Sequence, residues 1–269
     1  MQLKIDNTIR PVRLLQITDC HLGDKLLGLD TEESLVDVLR LIGTEQDSPD
    51  LLLATGDIAG CYSLSAYQRF LALTRTHVSA PMVWLPGNHD TPTLMLEALQ
   101  GIRMPRVITA GSWVLIMLDS SVRGYEHGDF TQEELTFLDQ TIKDHSEYHV
   151  MIFLHHQPIA VGSAWVDQYV VRSADKFFAI VDRYPQIRGI SWGHVHQEFY
   201  CRRKRENGIL MWSTPSTCVQ FKPQCDDFVV DHKMPGYRWY DLFADGSIVS
   251  HVSRVAEKPY SIDYDSSGY

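Results

Sequence analysis

The chain has 269 residues, of which 44% are hydrophobic, 10% aromatic and 22% charged, a composition that excludes disordered, fibrous and low-complexity classes. Lysine and arginine number 24 against 34 aspartates and glutamates, a formal net charge of −10. That balance excludes polymeric nucleic acid and anionic membranes as partners, because counterion release needs a basic face, and it admits a small anion only where a bound cation offsets the field.

In chain order, short apolar runs at Val12–Ile17, 51–54 and Met82–Leu85 read as buried strands. Between them Leu35, Val38, Leu39 and Ile42 form an i, i+3, i+4, i+7 stripe, repeated by Tyr67, Phe70, Leu71 and Thr74, and both predict amphipathic helices. A strand at 113–118 follows, then Thr131-Gln132-Glu133-Glu134, a capping box opening a helix that faces inward through Leu135, Leu138 and Ile142. A fifth strand at 150–154 precedes a helix carrying Phe177, Ile180, Val181 and Tyr184, stopped by Pro185, after which Ile187–Trp192 resumes strand character. The last quarter turns antiparallel: Ile209–Ser213 is strand-like, and 237–243 meets 247–255 across Asp245-Gly246, a type I′ hairpin pattern. The order predicts an α/β fold in one domain over 1–256, with a polar, loosely attached tail over 257–269. Lys4 and Asp6 break the first apolar residues, so no leader is expected, and no run approaches the ~20 residues of a membrane span. Five scattered cysteines (Cys20, Cys61, Cys201, Cys218, Cys225) form no C-x-x-C pair, which points to reduced thiols and a cytoplasmic protein.

The chemistry lies at the ends of the strands. Ile17 runs into Thr18-Asp19-Cys20-His21, where an extended segment would put Asp19 and His21 on one face. The next strands run into Gly56-Asp57, Gly87-Asn88-His89-Asp90, His155-His156 and Gly193-His194-Val195-His196. Asp-x-His alone is weak evidence, and Asn-His after glycine is an ordinary turn. Their conjunction at five strand ends points to one metal centre, since α/β active sites form at the carboxyl ends of strands. His155 and His156 face opposite ways in an extended strand and cannot easily serve one site. Carboxylate, carboxamide and imidazole without thiolate suit Fe, Mn, Zn or Co and disfavour Ca²⁺. So many side chains exceed what one open catalytic ion needs, and two ions sharing a carboxylate accommodate them. His89, in excess of the ligand count, is then free to donate a proton or hydrogen bond to a phosphate oxygen.

These blocks resemble the signature of calcineurin-like metallophosphoesterases. The resemblance implies a four-layer α/β/β/α sandwich of two mixed sheets flanked by helices, with a dinuclear centre at the sheet ends. By matched position it gives Asp19, His21 and His196 to the first metal, Asn88, His155 and His194 to the second, and Asp57 to the bridge. His155 is preferred to His156 as the first histidine after the strand. A narrower resemblance, to bacterial class III cyclic AMP phosphodiesterases, rests on Leu15-Gln16-Ile17-Thr18-Asp19, on Trp84 with the block that follows it, on the run from Thr214 to Pro223, and on Pro235-Gly236-Tyr237-Arg238. It implies two metal ions per chain, Fe²⁺ or Mn²⁺ in preference to Zn²⁺ or Co²⁺. It also implies hydrolysis of cyclic AMP to 5′-AMP by a metal-bridging hydroxide, with catalysis from His89, Asn88 and Asp57. Substrate contacts would come from His21, Asp57, Asn88, His89, His155 and His196. Trp165, Tyr169 and Phe221 would stack on the base or serve as core and rim packing. Asp90 would orient the His89 loop or act as a cap, and Cys20 would pack as a small residue between ligands. The oligomeric state is left open. A general phosphomono- or phosphodiesterase on another nucleotide or glycerophosphodiester is the enzyme alternative, and a scaffold without catalysis would be marked by an eroded ligand set, which this sequence does not have.

Overall fold

The computed structural model describes residues 2–5, 10–204 and 208–268. The elements begin with β1 (Gln2–Ile5), β2 (Val12–Ile17), a small hairpin of β3 (Lys25–Leu26) and β4 (Leu29–Asp30), and α1 (Thr31–Glu45). Next come β5 (Leu51–Thr55), α2 (Leu64–His77), β6 (Met82–Leu85), α3 (Pro92–Ala98), β7 (Val107–Ala110) and β8 (Trp113–Met117). Then follow α4 (Gln132–Asp144), β9 (His149–Phe153), α5 (Ala164–Asp167), α6 (Ala174–Val181) and β10 (Ile187–Trp192). The chain closes with β11 (Phe199–Arg203), β12 (Ile209–Ser213), β13 (Gln220–Phe221), β14 (Val230–Asp231), β15 (Gly236–Leu242) and β16 (Ile248–Arg254).

One sheet has the order β1-β7-β8-β9-β10-β12-β11 and the other β16-β15-β2-β5-β6. Both are mixed: β8, β9, β10 and β12 run parallel, as do β2, β5 and β6, while β11, β15 and β16 pair antiparallel. The period of two along each strand builds the layers. Leu14, Leu51, Leu53 and Val83 point from the smaller sheet to Trp113, Leu115, Met151 and Phe153 of the larger, forming the core between sheets. The alternate residues Leu15, Ile17, Leu52 and Ala54 face outward against Leu35, Leu39 and Phe70 of α1 and α2. On the far side Val114, Ile116, Val150 and Ile152 meet Leu135, Leu138 and Phe177 of α4 and α6. The four-layer α/β/β/α arrangement is thus as expected.

Four local expectations change. The Asp245-Gly246 turn is not type I′: Gly246 is left-handed (φ 84°) but Asp245 is not, and the Gly246 N–H donates to Phe243 O while Phe243 pairs with Ser247. A three-residue loop with one left-handed glycine results. The capping box is half made: Thr131 Oγ1 accepts from Glu134 N–H (3.1 Å), but the Glu134 carboxylate is taken by the Asp119 N–H (2.8 Å) and by Arg106. Tyr184 lies beyond α6, in a tight turn donating to Val181 O, and its hydroxyl reaches Asp139 at 2.6 Å. The polar tail is not loose. Lys258 pairs with Glu33 (2.7 Å) and Asp37 of α1, Tyr260 donates to Asp37 (2.8 Å), and the Asp263 N–H donates to Leu27 O (2.8 Å); Tyr269 lies outside the described residues.

Candidate metal centre

Strands β2, β5, β6, β9 and β10 are mutually parallel within their sheets, so their carboxyl ends emerge along one edge of the sandwich and deliver the five blocks there. The chain beyond β2 is not extended as expected. Asp19 (φ 54°) and His21 (46°) are left-handed, as are Asp57 (51°), His194 (63°) and His196 (48°). Among the described residues, five of the eight non-glycine residues with positive φ are therefore candidate site residues, a concentration of strain of order 1–3 kcal/mol each that must be held by its surroundings. Backbone bonds do much of this: the Asp19 N–H donates to Gly56 O (3.0 Å), His21 N–H to Asp57 O (2.9 Å) and Gly193 N–H to His155 O (3.0 Å). Two glycines are required by close approach. A Cβ on Gly87 would lie 2.1 Å from Asp57 Oδ1, and one on Gly56 (φ 95°) would lie 2.3 Å from His155 Nδ1.

The side chains converge in two linked groups. His196 Nε2 lies 3.4 Å from Asp19 Oδ1 and 3.3 Å from His21 Nε2. His155 Nε2 lies 3.1 Å from Asn88 Oδ1 and 3.2 Å from Asp57 Oδ2. The same Asp57 Oδ2 is 3.8 Å from His21 Nε2, so one carboxylate oxygen stands between the groups. His194 packs edge-on to His155 with ring centroids 5.2 Å apart. Asp19, His21, Asp57, His155, His194 and His196 are all buried, while Asn88 and His89 are half-buried at the mouth. His89 sits edge-on over His21 (4.9 Å between centroids), and its backbone N–H donates to Asp57 Oδ1 (2.9 Å).

Electrostatics favour a cation. Burial alone would raise the Asp57 carboxyl, but the His155 charge beside it prevails and holds it well below the usual carboxylate range; burial likewise pushes the Asp19 carboxyl up, and His196 overcomes this and lowers it. The partner imidazoles rise correspondingly, His155 and His196 being lifted by Asp57 and Asp19 against the effect of burial. His21 and His194, where burial dominates, are pushed down to about 3 and stay neutral with a lone pair available. Both nitrogens of buried His194 lack a hydrogen-bond partner, an unfavourable state that a bound metal ion would relieve. Among the described residues, four sets of three side chains place their donor atoms close enough to share an ion, so the residues present fit metal ions at this edge.

His156 joins one of these sets with His155 and His194: its ring lies 4.8 Å from that of His155 and 4.7 Å from that of His194, and its buried Nε2 has no hydrogen-bond partner. Ser120 Oγ accepts its backbone N–H (3.1 Å) and meets its Nδ1 (2.9 Å), tying β9 to the loop after β8. Of the two readings of Phe221 the structure supports packing: it is 1% exposed and stacks on the His196 ring (4.3 Å, 11°), behind the centre. Trp165 lies edge-on against Phe221 and Phe228, and Tyr169 edge-on against His194. Cys20 is fully buried, its thiol pushed well up by burial, in keeping with a packing role.

Asp90 is more than a cap. Its carboxylate accepts from the backbone N–H groups of Gly87 (2.9 Å), Ile58 (3.1 Å) and Ala59 (3.2 Å) and from the Tyr67 hydroxyl (3.0 Å), binding the loop after β6 to the loop after β5. Replacing Asp90 by Ala strands these buried donors at about 1–3 kcal/mol each, so a stability loss of at least about 3 kcal/mol is expected in urea unfolding. A loss under about 1 kcal/mol would contradict that role. Sequence reasoning also missed backbone partners, which carry no residue-type signal: Thr55 O meets His155 Nδ1 (2.8 Å) and Val219 O meets His196 Nδ1 (2.9 Å).

Two packed mixed sheets that gather aspartate, asparagine and histidine at one edge are the framework of a phosphoesterase. A sequence model of the calcineurin-like phosphoesterase family matches residues 12–198, and the chain belongs to that family. The chain is 40% identical over 265 residues to the 3′,5′-cyclic adenosine monophosphate phosphodiesterase CpdA of Escherichia coli K12, covering 96% of this chain and 95% of the relative. It is 39% identical over 264 residues to the CpdA of Pseudomonas aeruginosa, with the same coverage of 96% and 95%. Among solved structures, a dimetal phosphatase from Danio rerio superposes with a TM-score of 0.67 at 15% identity, over 94% of this chain and 99% of that one, a likeness of fold.

Proposed function

We propose that the protein is a dinuclear metal-dependent phosphodiesterase that hydrolyses 3′,5′-cyclic AMP to 5′-AMP and so lowers the cyclic AMP signal in the cytoplasm. The observation that carries the reading is Asp57 Oδ2, set between His21 Nε2 at 3.8 Å and His155 Nε2 at 3.2 Å. Full-length relatives that bear the cyclic AMP name support the substrate. Asp19, His21 and His196 would hold one ion, Asn88, His155 and His194 the other, with Asp57 shared; this donor set admits Fe²⁺, Mn²⁺, Zn²⁺ and Co²⁺, and the family resemblance favours the first two. Bound together, two such ions supply Lewis acidity at phosphorus and lower the pKa of water enough for attack at neutral pH.

The chain's own residues do the rest. Ionised Asp19 and Asp57 supply the negative charge that keeps cations in a buried edge. His21, Asn88, His155 and His196 line the face that a cyclic phosphate would approach. Water adds to phosphorus, the P–O3′ bond breaks, and the departing 3′-oxygen takes its proton from His89 at the mouth. Two bound cations also answer how a protein of net charge −10 captures an anion.

With Mn²⁺ present, kcat/KM for cyclic AMP is expected to exceed that for p-nitrophenyl phosphate and for glycerophosphodiesters, with 5′-AMP as the product by chromatography. A preference for either of the other substrates would keep the centre and move the substrate.

A further inference from the structure

The run from Thr214 to Pro223 has no side chain among the expected ligands and lies beyond the matched family segment, which ends at residue 198. The structure gives part of it a task. We propose that residues 216–221 form a strut that locks the left-handed backbones of Asp19 and His196, and so sets the affinity of the ion held by Asp19, His21 and His196.

Four hydrogen bonds converge on those two residues, and a fifth reaches the neighbouring Thr18. Ser216 Oγ and Cys218 Sγ both donate to the carbonyl of Asp19, at 2.9 and 3.2 Å, and the Thr217 N–H donates to Thr18 O at 3.1 Å. At the other end Val219 O meets His196 Nδ1 at 2.9 Å, and the Phe221 N–H donates to His196 O at 3.1 Å. The Phe221 ring lies flat on the His196 imidazole, 11° from parallel. With Nδ1 held by a carbonyl it carries the proton, and Nε2 is left to face Asp19 and His21. The strut is rigid in itself: the Gln220 side-chain amide closes the turn on Ser216 O (2.8 Å) and Cys218 O (3.0 Å), and the Gly236 N–H anchors Ser216 O from β15 (3.1 Å). The hydrogen bonds named above from this segment to the centre run to Thr18, Asp19 and His196, whereas His155 is oriented by Thr55 O and Asp57 and in turn meets Asn88. The support is therefore one-sided, and its loss should weaken one ion and spare the other.

The inference rests on the dinuclear reading above, and its test separates the two. Mn²⁺ would be titrated into metal-free protein against a chromophoric chelator, for the natural sequence and for Ser216→Ala, Phe221→Leu, Cys218→Ala and Cys218→Ser, each first checked for native far-UV circular dichroism. Ser216→Ala and Phe221→Leu are expected to raise one of two stepwise dissociation constants by about 10- to 100-fold, as loss of outer support for a ligand does, and to move the other less. Cys218→Ser, which keeps a donor to Asp19 O, should retain more affinity than Cys218→Ala. If Ser216→Ala does not fold, the Phe221 and Cys218 variants decide the matter. Folded variants with unchanged constants, or with both constants weakened alike, would overturn the strut. Natural protein that fails to bind two ions would instead overturn the dinuclear reading, and the strut with it.

Discussion

Replacing Asp57 by Ala is expected to release both metal ions and reduce cyclic AMP hydrolysis to the assay background. The expectation follows from position. Asp57 Oδ2 is shared between His21 and His155, at 3.8 and 3.2 Å, and Oδ1 accepts the His89 N–H at 2.9 Å. Without that carboxylate, each ligand group loses its common anion, and neutral imidazoles alone do little to offset the repulsion between two adjacent cations. The loop carrying His89 loses its anchor at the same stroke. Asp57→Asn, nearly identical in shape, separates charge from packing: it should fold as the parent and still lose metal. Elemental analysis with a rate assay checks both variants. Two ions per chain with an undiminished rate would remove Asp57 from the bridge.

The second large effect is expected at His89. His89→Ala should lower kcat on cyclic AMP by about 10²- to 10⁴-fold, the range of a lost general acid, or about 2.7–5.4 kcal/mol of transition-state stabilisation. Both ions should stay bound, because the groups around Asp19 and His155 are complete without it. The half-buried ring stands at the mouth over His21, where a leaving oxygen rather than a buried ion is within reach. A substrate whose leaving group needs no proton gives the discriminating control: bis(p-nitrophenyl) phosphate should suffer far less than cyclic AMP. Equal losses on both, or an unchanged kcat on cyclic AMP, would exclude His89 as the acid.

The strand-end blocks were legible in the sequence because apolar runs and polar ligand-type residues meet abruptly at Ile17, Thr55, Leu85, Phe153 and Trp192, where strands must end. What the residues could not convey was the backbone that delivers them. Alternation along an extended chain accounts for a shared face of Asp19 and His21, yet the fold reaches it through left-handed residues, stabilised by partners far away in sequence. Phe221 illustrates the same limit: an aromatic in a late loop reads equally as a platform for a base or as packing until its stacking on His196 is seen. The β11 strand escaped notice because an edge strand needs no apolar run, and its Tyr200 is exposed. The tail looked loose from its polarity, whereas Lys258 and Tyr260 find Asp37 on α1, a pairing that no local pattern announces.

A two-ion centre that hydrolyses cyclic AMP is tested by measuring metal content and 5′-AMP formation on one preparation, before and after chelation and after Mn²⁺ is restored. The account predicts about two ions per chain, hydrolysis that disappears with the metal, and recovery in proportion to reloading. Hydrolysis that persists in metal-free protein, or two bound ions without any phosphodiester cleavage, would contradict it.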